Sequence, residues 1–463
     1  MKKVTVVLAL VAVLSLVLAS VVGAAGSPPP ALSSGFQLQN RSATDPASIS
    51  ISYYDASGNE VEVDADTIAA KASKSYYVPN VLGQPDGRYS VVIESDQQLF
   101  ALSNEVTATG ATPNVAATHS GFTDEDIGSP LYIPWVVCEY YSYNSMFAVQ
   151  NAGGGQTNIT VEFYKSGNSS VFKSYAFNNV KPGGAVFLDM TQSPYNTDLN
   201  GFFGSVKAYS SDGTPLAAAL NDTNPAGSFL RSYNAVKDSW AALKLYAPQV
   251  TANYYGFSTG ITLQNPNSSS STATVKYYAT GATTPVATQN VTVAANSALP
   301  IYIPSVAGIP ANFNGTAVIE VTNGVTIMGI ANHDHVPAGP AASYNLVPES
   351  KAATQVFMPQ VVRAYYGFES GWQVFNLGPD AVTVTATYYN ADGSVRGSAT
   401  HSVAANAAFS LYLGGAGGSI LGTNFNGGGV LEVTGGNGKL VGIANFVSPN
   451  PGDYQQVYNS FYP

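Results

Sequence analysis

Histidine is the first place to look for chemistry, because an imidazole can move protons or hold a metal near neutral pH, and the chain has only four, at positions 119, 333, 335 and 401. None lies in a Gly-x-Ser-x-Gly elbow or a similar nucleophile context, so no catalytic residue is assigned and no enzyme is expected. His333-Asp334-His335 puts two imidazoles at i and i+2 on one face of a strand. A zinc site needs further ligands, and the corresponding stretches elsewhere read Thr223-Asn224 and Phe446-Val447. A solvated loop is expected there, with no metal and no cofactor. Asp124-Glu125-Asp126 lacks the Asp-x-Asp-x-Asp-Gly spacing of a calcium loop and reads as a solvated acidic linker. Cys138 is the only cysteine, which rules out an intramolecular disulfide. It reads as a small buried apolar side chain.

The most suggestive candidates are aromatic: Tyr140-Tyr-Ser-Tyr143, Tyr254-Tyr-Gly-Phe257 and Tyr365-Tyr-Gly-Phe368. Aromatic faces stack on sugar rings and dominate protein contacts, and repeated copies on one side of an array give multivalent binding. The binding candidates are therefore Tyr141, Tyr143, Tyr255, Phe257, Tyr366 and Phe368. Their recurrence with the period of the fold favours a structural role, at module junctions or the open end of each unit.

That period is the main signal. Gly35-Phe-Gln-Leu-Gln-Asn40, Met146-Phe-Ala-Val-Gln-Asn151, Gly260-Ile-Thr-Leu-Gln-Asn265 and Gly371-Trp-Gln-Val-Phe-Asn376 align, with closing asparagines 111, 114 and 111 residues apart. An aromatic pair follows each (Tyr53-Tyr54, Phe163-Tyr164, Tyr277-Tyr278, Tyr388-Tyr389), then a turn carrying Gly58, Gly167, Gly281 or Gly393. Next comes a strand led by Gly87, Gly204, Gly315 or Gly429 and closed by Asn104, Asn221, Asn332 or Asn445. Alternation as in Ala273-Thr-Val-Lys-Tyr277 is the period of a half-buried strand. About seven strands per module predict an all-β chain of four tandem immunoglobulin-like β-sandwiches of about 110 residues. A closed ring or propeller-like arrangement of the repeats is the alternative.

The predicted organisation is a signal peptide over 1–25, module 1 over 27–116, an acidic linker over 117–130, and modules over 131–232, 233–343 and 344–463, the last with a C-terminal strand. Lys2-Lys3, the apolar run from Val4 to Val22 and the small residues after it have the layout of an export signal cleaved after Ala24 or Ala25. A secreted, surface-associated protein with no membrane span after cleavage follows. Charged residues are only 10% of the chain and the formal charge is −10, so nucleic acid, which needs clustered cations, is not an expected partner.

Leaders Leu131-Tyr-Ile-Pro134, Leu245-Tyr-Ala-Pro248 and Val356-Phe-Met-Pro359 open modules 2 to 4, and module 1 has none. The Tyr-Asn steps before two leaders (Tyr233-Asn234, Tyr344-Asn345) recur at Tyr458-Asn459, so the C-terminus reads as the opening of a fifth module. Val457, Tyr458, Asn459, Phe461 and Tyr462 are accordingly candidates for strand exchange onto module 1, of the same or a neighbouring molecule. The competing reading folds this tail onto module 4.

With these motifs the chain resembles a class of secreted bacterial cell-surface proteins built from tandem immunoglobulin-like repeats. The resemblance implies an extracellular array and brings no catalytic residues. The expected function is a surface-layer or filament-type subunit shaped as a semi-rigid rod and self-associating through edge strands. An adhesin or carbohydrate-binding array, with a glycan or cell-surface partner, is the alternative.

Overall fold

A computed structural model describes residues 4–8, 31–82, 87–108, 111–112, 114–141, 143–224, 228–335, 339–448 and 455–462. The proposed cleavage site at Ala24 and Ala25 lies outside them. Apolar and polar residues alternate as the sequence predicts: Val382–Asn390 buries every second side chain, Val382, Val384, Ala386 and Tyr388. Such strands hide one face only, and each module stacks two antiparallel sheets to do so.

In module 1 the strands are β1 (Val4–Leu8), β2 (Leu32–Asn40), β3 (Ala47–Asp55), β4 (Glu60–Ile68), β5 (Ser73–Tyr77), β6 (Tyr89–Ser95), β7 (Leu99–Thr107), β8 (Ala116–Ser120) and β9 (Phe122–Thr123). One sheet runs β4-β3-β6-β1-β9 and the other β5-β2-β7-β8. Phe36 and Leu38 of β2 meet Ile49, Ile51, Tyr53, Val91 and Ile93 in the core between them. Modules 2 and 3 repeat this order. Where about seven strands were expected, the described residues form nine in each of modules 1 to 3, because the leader is a central strand and a two-residue return strand pairs beside it. In module 4, a bridge between Phe357 and Phe461 stands in the place of that return strand.

The repeated landmarks are structural devices. Each closing asparagine is fully buried and staples a loop to the sheet: Asn265 Nδ2 donates to the carbonyls of Ser269 (2.7 Å) and Val293 (3.1 Å), and its Oδ1 accepts from the Asn267 amide (2.9 Å). Asn40, Asn151 and Asn376 do the same. A Cβ on Gly315 would lie 1.9 Å from the carbonyl oxygen of Tyr278, so glycine is required where that strand pairs. The register corrects the alignment in two modules. Gly427, not Gly429, sits opposite Asn390, and in module 1 Tyr89, not Gly87, sits opposite Asp55. In module 4 a register shift between Thr383 and Val384 adds one residue to the strand, so Gly427 lies 18 residues before Asn445 where Gly204 and Gly315 lie 17 before Asn221 and Asn332.

The four sandwiches close on themselves instead of forming a rod. The turn after each aromatic pair docks on the next module: Gly167 N donates to Ser297 Oγ (2.7 Å) and Gly281 N to Ala408 O (3.1 Å). Gly58 abuts Gly184, and Gly393 of module 4 abuts Ala70 of module 1. The closing junction also packs Phe100 on Phe357 and Phe461, with ring centroids 5.1 and 4.9 Å apart, while Gln37 Nε2 donates to the Pro359 carbonyl (2.7 Å).

At the centre a cycle of side chains links β8 to its counterparts. Asn234 Nδ2 donates to Ser120 O (2.8 Å), Asn345 Nδ2 to Asn234 O (2.7 Å) and Asn459 Nδ2 to Asn345 O (2.7 Å); Ser120 Oγ returns to Asn459 O at 3.5 Å. A head-to-tail contact whose rotation closes generates a ring, here within a single chain.

Candidate functional site

Rotation about this centre brings equivalent positions to the same level, so the aromatic clusters form one set. Each is the tip of a tight hairpin, in which Tyr254 and Phe257 exchange both backbone hydrogen bonds at 2.9 Å; Tyr140 with Tyr143 and Tyr365 with Phe368 form the same bridge. The tip residues Tyr141, Tyr255 and Tyr366 have φ of 47°, 49° and 48°, and they are 82%, 82% and 81% exposed. A left-handed backbone costs a non-glycine residue roughly 1–2 kcal/mol. Bulky tyrosine holds it three times over, at full exposure, where Asn or Gly would do so at little cost. The flanking Tyr143, Phe257 and Phe368 are half-buried. They anchor the hairpins, so the candidates divide into exposed tips and anchors.

A second set of exposed tyrosines escaped the sequence reading. Tyr77, Tyr302 and Tyr412 lie directly across from Gly35, Gly260 and Gly371, in register. Between modules 2 and 3, Tyr302 and Gly260 share a cleft of about 200 Å³ with Trp135, Tyr141 and Tyr143. The open surface over Gly260 would admit a flat ring, since nothing lies within 4 Å of an added Cβ there. Module 2 carries Asp189 at the matching position, opposite Met146, and it pairs with Arg88 at 3.0 Å. Module 1, which has no tyrosine hairpin, thus meets a module without the second tyrosine. The signal in the sequence was the recurrence of Tyr 36 or 37 residues after the closing asparagine.

Arg231 crosses the same cleft. Its guanidinium is 2% exposed and bonds Asp222 (3.1 Å) and Asp334 (2.6 Å). Burial pushes the Asp222 carboxyl up, opposed by the neighbouring guanidinium, while the two carboxylates hold Arg231 charged.

His333 is no solvated loop residue. It lies on the strand Met328–His335 and is 2% exposed. Nε2 faces the Gln249 carbonyl at 2.9 Å and so carries the proton, leaving Nδ1 to accept from Thr259 Oγ1 at 3.4 Å. Burial lowers its pKa to about 4. His335 packs edge-on against Phe257, with centroids 5.0 Å apart. A polar triplet reads as a loop only while the packing of the strands around it is unknown.

Cys138 is buried, and burial raises its thiol to about 12. Asp124 and Glu125 are exposed, and Lys351 lies 3.7 Å from Glu125 and 3.8 Å from Asp126. They rim an axial cavity of about 230 Å³ lined by the asparagine cycle and by Phe122, Trp240 and Phe461.

The C-terminal strand Gln456–Asn459 pairs with Leu440–Val447 of module 4. Val457 and Tyr458 are buried, the Tyr458 hydroxyl donates to the Gln360 carbonyl, and the Tyr462 hydroxyl accepts from Gly442 N at 3.0 Å. Tyr233-Asn234, Tyr344-Asn345 and Tyr458-Asn459 therefore close the modules they follow, and the C-terminal strand is part of module 4. Among the described residues no helix is long and apolar enough to cross a membrane.

No family model matches the chain, and no curated protein matches its sequence. Among solved structures it is similar to the BSP domain of a biofilm-associated protein, at 9% identity over 97% of this chain and 99% of that one with a TM-score of 0.13. The full-length RrgB pilus protein of Streptococcus pneumoniae matches at 9% identity over 95% and 89%, with a TM-score of 0.11. A GH78 family rhamnosidase of Bacillus sp. GL1 matches at 10% identity over 72% and 55%, with a TM-score of 0.13. TM-scores this low establish no shared arrangement.

Proposed function

We propose that this chain is a non-enzymatic structural component of the cell surface, a surface-layer or filament-type subunit in which the ring is the rigid body and the tyrosine tips make its outward contacts. The observation that carries the reading is the triple recurrence of a strained, exposed tyrosine on a scaffold with apolar packing or hydrogen bonds at every junction. A stiff frame presenting identical tips suits lateral association, because each added contact is made at high effective concentration. Electron microscopy of exported material tests this. Ordered sheets or fibres are expected, reduced to isolated particles by Tyr141→Ala, Tyr255→Ala and Tyr366→Ala together; wild-type protein dispersed as single rings at high concentration would contradict it.

A second reading, a glycan-binding surface, is favoured by the cleft where Tyr141 and Tyr302 flank the open surface over Gly260 beside the Arg231–Asp334 pair. Two aromatic faces with an adjacent charged hydrogen-bonding pair suit a pyranose ring. Glycan-array binding lost on Tyr302→Ala, with assembly intact, would favour it over the first.

A further inference from the structure

The leader of module 1 comes from the N-terminal apolar run. Val6 of β1 stands opposite Ile93 and Thr123, as Leu131 stands opposite Ala208 and Lys237, and Leu245 opposite Ile319 and Pro348. β1 is thus a true leader in register, a central strand hydrogen-bonded to β6 on one side and β9 on the other. It also lies inside the segment whose layout marks it for removal on export. After cleavage at Ala24 or Ala25, the residues left ahead of β2 begin at Ala25 or Gly26 and run on through Ser27-Pro28-Pro29-Pro30. Three successive prolines lack the N–H groups that a central strand must donate on both sides.

We propose that export empties this strand position and that the mature protein receives there an extended apolar segment of a different polypeptide. An empty position would leave facing rows of backbone N–H and C=O groups unpaired on β6 and β9, which a donated strand satisfies. The pattern it accepts is written four times in this chain, as Val6-Val7, Leu131-Tyr132, Leu245-Tyr246 and Val356-Phe357: an aliphatic residue followed by an aliphatic or aromatic one. A second copy is a poor donor, because its later leaders and its C-terminal strand are each paired inside their own modules. The donor is therefore another protein carrying a leader-like strand.

The test uses exported protein recovered from its host. Mass spectrometry of its N-terminus should place the first residue after Ala24 or Ala25. Titration with a synthetic peptide of residues 129–139 should show saturable 1:1 binding and raise Tm by a few degrees, and a scrambled peptide should do neither. A variant with that leader sequence grafted ahead of Ala31 through a flexible linker should fold with a higher Tm and lose peptide binding. Retention of residues 1–25, failure of the processed wild-type protein to bind the peptide, or self-association of the processed protein that the peptide dissolves would each overturn the proposal, the last by making a second copy the donor. None of these readouts depends on the tyrosine tips, so this inference and the surface-assembly reading fail separately.

Discussion

Tyr255 holds φ of 49° at the tip of its hairpin, which makes its effects on stability and on contact separable. Tyr255→Gly relieves the left-handed strain and removes an exposed ring, so thermal denaturation should show a gain of about 1 kcal/mol while surface assembly weakens. A loss of stability would mean that the tyrosine is a packing residue and not a presented one. His333 gives a pH signature. Its folded pKa of about 4 lies below the ordinary histidine value of 6.5, so the unfolded chain binds the proton first as pH falls. Stability from the neutral imidazole is intact above pH 6.5 and is lost progressively down to pH 4, by on the order of 3 kcal/mol. His333→Asn should flatten that part of the stability profile; an unchanged acid slope would contradict the burial argument. Neither residue's setting was legible beforehand. A φ angle leaves no mark on composition, and His333 is dry only because Gln249 and Thr259 close around it.

The elements were largely legible, because alternation and turn chemistry are local. Alternating runs became strands and the Tyr-Tyr pairs led into hairpins. Two kinds of error have physical causes. Counting residues assumes an unbroken ladder, and the extra residue at the register shift near Thr383 puts Gly427 18 residues before Asn445, where the same step is 17 in modules 2 and 3, which hid its equivalence. A periodic sequence also fixes its period but not its phase, so strands that close a module looked like openings of the next. The contrast between glycines tests this level. Gly315→Ala drives a Cβ to 1.9 Å from Tyr278 O and should cost about 3 kcal/mol or more by chemical denaturation, in the overpacking range. Gly260→Ala meets open space and should fall within about 1 kcal/mol of wild type. Similar effects at both positions would refute the assigned register.

For the whole molecule, the number of repeats says nothing about whether they form a line or a circle. That depends on the angle between neighbours, and the decisive contacts join residues hundreds of positions apart, such as Gln37 with Pro359 and Ser120 with Asn459. Closure is the claim on which the rest stands, since it sets the tyrosine tips at one level and gathers Ser120, Asn234, Asn345 and Asn459 around one axis. Small-angle X-ray scattering of the monomer tests it most directly. A closed ring of compact modules should have a radius of gyration of about 22 Å; four sandwiches in line, each roughly 30 Å long, would give about 35 Å, and that value would contradict the account.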